Sequence, residues 1–159
     1  MAGSLPPELS RLSLYPRFSP KRLAELSRRR VAVVGVGGVG SAFLLAVGRL
    51  PLGELLLIDR DILAPENLGH QLIYDRGMVE AGMAKAEAAA SYLGRVNPSL
   101  SVRAVVADLT HRNIGELLSG VDLIVDGLDN FPTRFLLNDY AVKGGVPWVY
   151  GGVVEGEAV

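Results

Sequence analysis

The ten residues Val31-Ala32-Val33-Val34-Gly35-Val36-Gly37-Gly38-Val39-Gly40 constrain this chain more than any other segment. A short β-branched run reads as a fully buried strand. It is followed by G-x-G-x-x-G opening onto an apolar helix, predicted over Gly38–Leu50. In that context Gly35 allows the tight turn, Gly37 lets backbone approach an anion without a Cβ, and Gly40 lets the helix close on the strand. The helix N-terminus then offers unpaired N–H groups to a phosphate. Val31 to Gly48 is also an uncharged run of 18 residues, long enough to be a candidate membrane span. Five of those residues are glycine, four of them within six positions, so the run divides into two shorter elements around a turn.

The rest of the chain keeps the same rhythm. Strands are predicted at Glu54–Ile58, Val102–Ala107, Val121–Val125 and Val146–Val154. Helices are predicted at Met78–Val96, Asn113–Leu118 and Phe131–Lys143. In the longest, Val79, Met83, Ala86, Ala90 and Leu93 step at helical spacing. Strand–helix alternation predicts an α/β fold, a Rossmann-like, doubly wound and mostly parallel sheet. Asp59 closes the second strand 19 residues after Gly40, where a carboxylate can accept from ribose hydroxyls. Loop and acid together fit NAD, FAD or ATP equally well.

Composition narrows the classes. The chain has 159 residues, 49% hydrophobic and 21% charged, which excludes a disordered tail. It has no cysteine, so thiolate nucleophiles, disulfides and Cys-bound zinc are excluded. A net charge of −1 gives no reason to expect nucleic acid or an anionic membrane as partner. Residues 1–30 nevertheless carry seven bases against two acids, and read as a helical arm in two short pieces interrupted by Pro16 and Pro20. Arg28, Arg29 and Arg30 are expected at the C-terminal end of its last helix. Residues 31–159 are read as one Rossmann-like, nucleotide-binding domain. The first residues, with Pro6 and Pro7 where an apolar signal core would lie, predict a cytoplasmic protein. Residues 151–159 read as a strand, a turn and the start of another strand, as if a C-terminal part were lacking.

Three further clusters complete the pattern: Asp59-Arg60-Asp61; Asn67-Leu68-Gly69-His70-Gln71; and Asp126-Gly127-Leu128-Asp129-Asn130, with Lys85 between the last two. Lys85 is read on a helix flank of small residues, with no partner at i±3 or i±4, so it reaches beyond its own helix. Asp126 and Asp129 fall at the carboxyl edge of a parallel sheet, where ligands bind. Either Asp129 or Asn130 can cap the following helix while the other binds a metal. In this order, with the extra Gly38, the clusters resemble the ubiquitin-activating (E1-like) superfamily, close to adenylating enzymes of the ThiF and MoeB type. The resemblance covers roughly residues 12 to 159.

It implies an ATP- and Mg²⁺-dependent enzyme that adenylates the C-terminal glycine carboxylate of a small ubiquitin-like sulfur-carrier protein, releasing pyrophosphate, and a homodimer. By position, it implies a cofactor-binding set of Gly35, Gly37, Gly38, Gly40, Asp59, Asp61, Asn67, His70, Gln71, Lys85, Asp129 and Asn130. Within that set Gly37 and Gly38 would meet phosphates, Asp59 the ribose, Asn67 and Lys85 the phosphates, and Asp129 the Mg²⁺. Arg17, Lys85 and Asp129 are the catalytic candidates, with Arg17 reaching ATP from the other subunit. The sequence departs from the family in having His70 where an arginine is expected. It also has two more residues before Lys85, and it ends before the zinc-binding cysteines and the catalytic-cysteine loop. Two other functions stand beside adenylation: a non-catalytic E1-like subunit that binds nucleotide, and an NAD-dependent oxidoreductase.

Overall fold

A computed structural model of the chain describes residues 7–154 and 157–158. Three short 3₁₀ turns (Pro7–Leu9, Leu12–Leu14, Pro16–Phe18) lead into helix α1 (Pro20–Leu26). Then come β1 (Arg30–Val34), α2 (Gly38–Val47), β2 (Glu54–Ile58), α3 (Arg76–Glu80), α4 (Lys85–Val96), β3 (Ser101–Val105), α5 (Ile114–Leu117), β4 (Leu123–Asp126), α6 (Phe131–Gly144) and β5 (Trp148–Tyr150). Strands β1 to β5 form one sheet in the order β3-β2-β1-β4-β5, and every pairing is parallel. Such a sheet needs both faces covered. Val31, Val33, Leu55 and Leu57 point to one face with residues of α2 and α4. Ala32, Val34, Leu56, Ile58 and Ile124 point to the other with residues of α5 and α6. The chain winds outward from β1 in one direction through β2 and β3, then in the other through β4 and β5. The reversal leaves a crevice between the carboxyl ends of β1 and β4.

The helix expected over Met78–Val96 is two helices. α3 starts on Asp75, whose side chain accepts the Met78 N–H at 2.9 Å. It ends before Gly82, which adopts φ +64°, a left-handed conformation that stops a helix. Ala84 then bridges Ile62, and α4 begins at Lys85. Lys85 is therefore a first-turn residue, and the part of its expected helix flank that precedes it belongs to a different helix. The strand expected over Val146–Val154 is likewise β5 plus a separate strand β6 (Val153–Val154), which pairs antiparallel with β7 (Glu157–Ala158).

The helix-end role expected for Arg28 to Arg30 is also corrected. α1 ends at Leu26, Arg29 pairs with Asp122 at 2.8 Å, and Arg30 opens β1 and reaches Glu54 at 2.9 Å. Arg29 and Arg30 tie the amino edge of the sheet together, far from the crevice. The readings of residues 1–6, and of the turn at 155–156, lie outside the described residues. Among the described residues no helix is long and apolar enough to cross a membrane.

Candidate nucleotide site

A cavity of about 940 Å³ opens along the carboxyl edge of the sheet, where the loops after all five strands converge. Its floor is the glycine loop, and the glycines divide into two kinds. Gly35 takes φ +82°, and a Cβ built there would lie 2.8 Å from the Gly127 backbone. A Cβ on Gly40 would lie 2.1 Å from the Gly35 carbonyl oxygen, and one on Gly127 would lie 2.5 Å from that same oxygen. These three lock α2 and the β4 loop onto the end of β1. Gly37 and Gly38 touch nothing so closely: a Cβ there would meet only Gln71 at 3.9 Å and His70 at 3.7 Å. Both line the cavity at the start of α2. Gly127, which sequence reasoning passed over, is part of the lock.

Asp59 lines the cavity at the end of β2 and organises this floor. Its carboxylate accepts the Val36 N–H and the Asp61 N–H, each at 2.8 Å. Burial pushes its pKa up, against those two hydrogen bonds. Each oxygen keeps a lone pair free for a hydroxyl. Lys85 is buried, and its Nζ meets the Asp61 carboxylate at 2.8 Å. That ammonium holds the Asp61 carboxyl below the ordinary value. Tyr74, another residue the sequence did not single out, ties the loop to α4. Its buried hydroxyl donates to the Val36 carbonyl at 2.7 Å and stands 3.2 Å from the Lys85 carbonyl. Burial raises its pKa, so the phenol stays a donor.

On the opposite wall Asp126 is fully buried and pairs with Arg134 Nε at 2.9 Å. Its other oxygen accepts the Leu128 N–H at 2.9 Å. Arg134 also donates to the Leu128 carbonyl and lies 4.4 Å over the Tyr150 ring. This clamp fixes the loop that carries Asp129. Asp129 is exposed, lines the cavity and has no ion-pair partner among the described residues. Asn130 is the helix cap: its side chain accepts the Thr133 N–H at 3.1 Å, leaving Asp129 free for a ligand.

The other candidates are not all at the cavity. His70 and Gln71 line it. Gln71 is 4% exposed, its Nε2 is 3.3 Å from His70 Nε2, and its Oε1 has no partner among the described residues. Asn67 does not line the cavity; its side-chain carbonyl accepts the Ala64 N–H at 2.9 Å and closes the turn that carries His70. Arg17 is exposed in its 3₁₀ turn and does not line this cavity either. No cluster of three or more metal-ligating side chains occurs among the described residues. A Mg²⁺ ion needs only one or two carboxylates when phosphate oxygens complete its shell, and Asp129 fits that requirement.

Residues 9–159 match the family model described as the ThiF family. The chain belongs to the ThiF family. It is 36% identical over 151 residues to the SAMP-activating enzyme E1 of Haloferax volcanii, covering 94% of this chain and 55% of that protein. It is 37% identical over 145 residues to the sulfur carrier protein ThiS adenylyltransferase of Bacillus subtilis, covering 91% and 43%. Among solved structures it resembles the E. coli tRNA N6-threonylcarbamoyladenosine dehydratase TcdA in complex with ATP, with TM-score 0.77 and 30% identity over 85% of this chain and 57% of that one. The ThiF-family chain thus spans about half the length of these curated relatives.

Proposed function

We propose that this ThiF-family chain binds ATP and carries the adenylation step on the C-terminal carboxylate of a small ubiquitin-like, ThiS- or MoaD-type, sulfur-carrier protein. One carboxylate oxygen attacks the α-phosphorus, the bond to the bridging oxygen of pyrophosphate breaks, and an acyl adenylate and pyrophosphate result. The observation that carries this reading is the convergence, in one cavity, of the open glycines Gly37 and Gly38 with Asp59, Lys85 and Asp129. The name of the B. subtilis relative supports the class of acceptor, and relatives named as adenylating enzymes favour this chemistry over hydride transfer.

Two anions must approach each other, so the site needs positive charge and alignment more than a base. The N-terminus of α2 faces the phosphates, and Lys85 neutralises them after letting go of Asp61. His70 and Gln71 face the phosphates from the rim, and Asn67 orients them through its turn. Asp129 would hold Mg²⁺, whose charge would offset that of the phosphates when it is bound. Arg17, on the arm that precedes β1, acts across a homodimer on the partner's nucleotide, and the demand for ATP fits a cytoplasmic setting. A non-catalytic subunit is the second reading: Asp61 and Asp126 already occupy Lys85 and Arg134.

Pyrophosphate exchange separates the two. Labelled pyrophosphate should enter ATP only when a sulfur carrier ending in Gly-Gly is present. Lys85→Ala and Asp129→Ala should each lower that exchange by about 10²-fold or more. ATP binding with no exchange for any such carrier would select the non-catalytic subunit.

A further inference from the structure

The nucleotide reading makes no use of the Tyr74 hydroxyl. This side chain is buried, and it does not line the cavity. A phenol has one proton to give, and two carbonyl oxygens stand near it, Val36 at 2.7 Å and Lys85 at 3.2 Å. Lys85 opens α4, so its carbonyl also serves the helix ladder. The Val36 carbonyl has no other donor among the described residues. Val36 is fully buried, and a buried carbonyl left without a donor is costly. The phenol proton therefore belongs to Val36.

That carbonyl shares a planar trans peptide with the Gly37 N–H, so the two point in opposite directions. Val36 and Tyr74 lie behind the loop, whereas Gly37 lines the cavity. Holding the carbonyl inward turns the Gly37 N–H outward, and no acceptor meets that N–H among the described residues. The bonds on either side belong to neighbouring peptides: the Val36 N–H donates to Asp59 at 2.8 Å, and the Gly37 carbonyl accepts the Ser41 N–H at 2.9 Å. Glycine tolerates either sign of φ. Without the phenol, the Val36–Gly37 peptide can turn over while its neighbours stay in place. It would then present a carbonyl oxygen, not a donor, to an incoming phosphate.

We propose that Tyr74 is a positioning residue, whose hydroxyl fixes the Val36–Gly37 peptide with its N–H toward the cavity and so sets the polarity of the glycine loop. This rests on the nucleotide reading above and adds to it a residue that touches no ligand. The contact with the Lys85 carbonyl seats the phenol against the first turn of α4. One side chain thus places the loop that receives the anion against the helix that carries the lysine.

The test is titration of the full chain with ATP and saturating Mg²⁺, read by calorimetry and by amide NMR with isotope-labelled glycine. In the wild-type chain the Gly37 amide proton should move downfield on saturation, as a donor to an anionic oxygen does. Tyr74→Phe keeps the ring and removes the hydroxyl. It should weaken ATP about tenfold and reduce the Gly37 movement. Losing a buried hydrogen bond also lowers the thermal midpoint, so Ile124→Val serves as the control. Ile124 is fully buried in β4 and does not line the cavity. That variant should lower the midpoint by a few degrees and bind ATP as the wild type does. Three results overturn the assignment and leave ATP binding in place: wild-type affinity in Tyr74→Phe, a full Gly37 movement in that variant, or a loss of affinity shared by Ile124→Val. A wild-type Gly37 proton that stays put with ATP bound overturns it without any variant. A wild-type chain that does not bind ATP removes the nucleotide reading itself, and this assignment with it.

Discussion

Lys85, which is buried, and Arg134, which is partly buried, are cations on opposite walls of one cavity, and they are held in different ways. The side chains of Arg134 and Asp126 are 11% and 0% exposed, and both of them also bond the Leu128 backbone. Neither can let go without stranding a charge. The side chain of Lys85 is 10% exposed, but its partner Asp61 is 51% exposed and can turn to water. One pair braces the site, and the other keeps an ammonium in place while leaving it available. Removing the cation from a fully buried carboxylate is costly because of the charge left behind, whereas removing it from a wet carboxylate costs little.

The largest expected effect comes from breaking the brace. Arg134→Leu leaves Asp126 buried with only the Leu128 N–H and should cost about 3–5 kcal/mol of stability. Lys85→Met leaves Asp61 hydrated and should cost about 1 kcal/mol or less. Urea denaturation midpoints measure both. Equal losses in the two variants would erase the distinction between brace and reserve.

This distinction was only half legible in the sequence. The β1 loop, Asp59 and the doubly wound order could be read because they depend on local spacing and on alternation along the chain. Lys85 stands out through the small residues around it, but the start of its helix does not: Val79 and Met83 continue the helical period of α4 across Gly82. The stop lies in the left-handed φ of Gly82, and a glycine within an otherwise unbroken period gives that little away. Arg134 carried no local signal. It reaches Asp126 because side chains of the first helical turn point back toward the helix N-terminus, here to the end of β4. Gly127 is equally silent in sequence, since its partners, Gly35 and Gly40, lie some ninety residues away.

The glycine loop carries the same contrast at smaller scale. Gly40→Ala places a Cβ 2.1 Å from the Gly35 carbonyl oxygen. Backbone cannot yield as a flexible side chain would, so the fold should lose about 1–3 kcal/mol. Gly38→Ala meets only the His70 ring at 3.7 Å and should leave the unfolding free energy of the free chain, from urea denaturation, within about 0.5 kcal/mol of wild type. Its new methyl would instead enter the space proposed for phosphate, and should remove the thermal shift given by ATP with Mg²⁺. If Gly38→Ala keeps that shift, the open glycines do not receive the anion.

The smallest effect is also the most local, a change in where two carboxylates titrate. The Asp61 carboxyl is held below its ordinary value of 3.8, chiefly by the hydrogen bond from Lys85. A lowered folded value means that the pair's stabilisation is present above pH 3.8 and is lost as pH falls through the lowered value. Asp59 is shifted the other way by burial, and the Lys85 charge restrains that rise. Lys85→Met should therefore move both carboxyls upward: Asp61 back toward its ordinary value, and Asp59 further above it. Asp122, lowered by the Arg30 N–H and by Arg29 at the far edge of the sheet, should not move. Carboxyl-carbon NMR titration reads all three groups in one experiment. If Lys85 is a reserve, saturating ATP and Mg²⁺ should raise Asp61 in the wild-type chain as the substitution does, because the ammonium then serves phosphate. An Asp61 value that stays low with nucleotide bound would make Lys85 a second brace, and the two walls of the cavity alike.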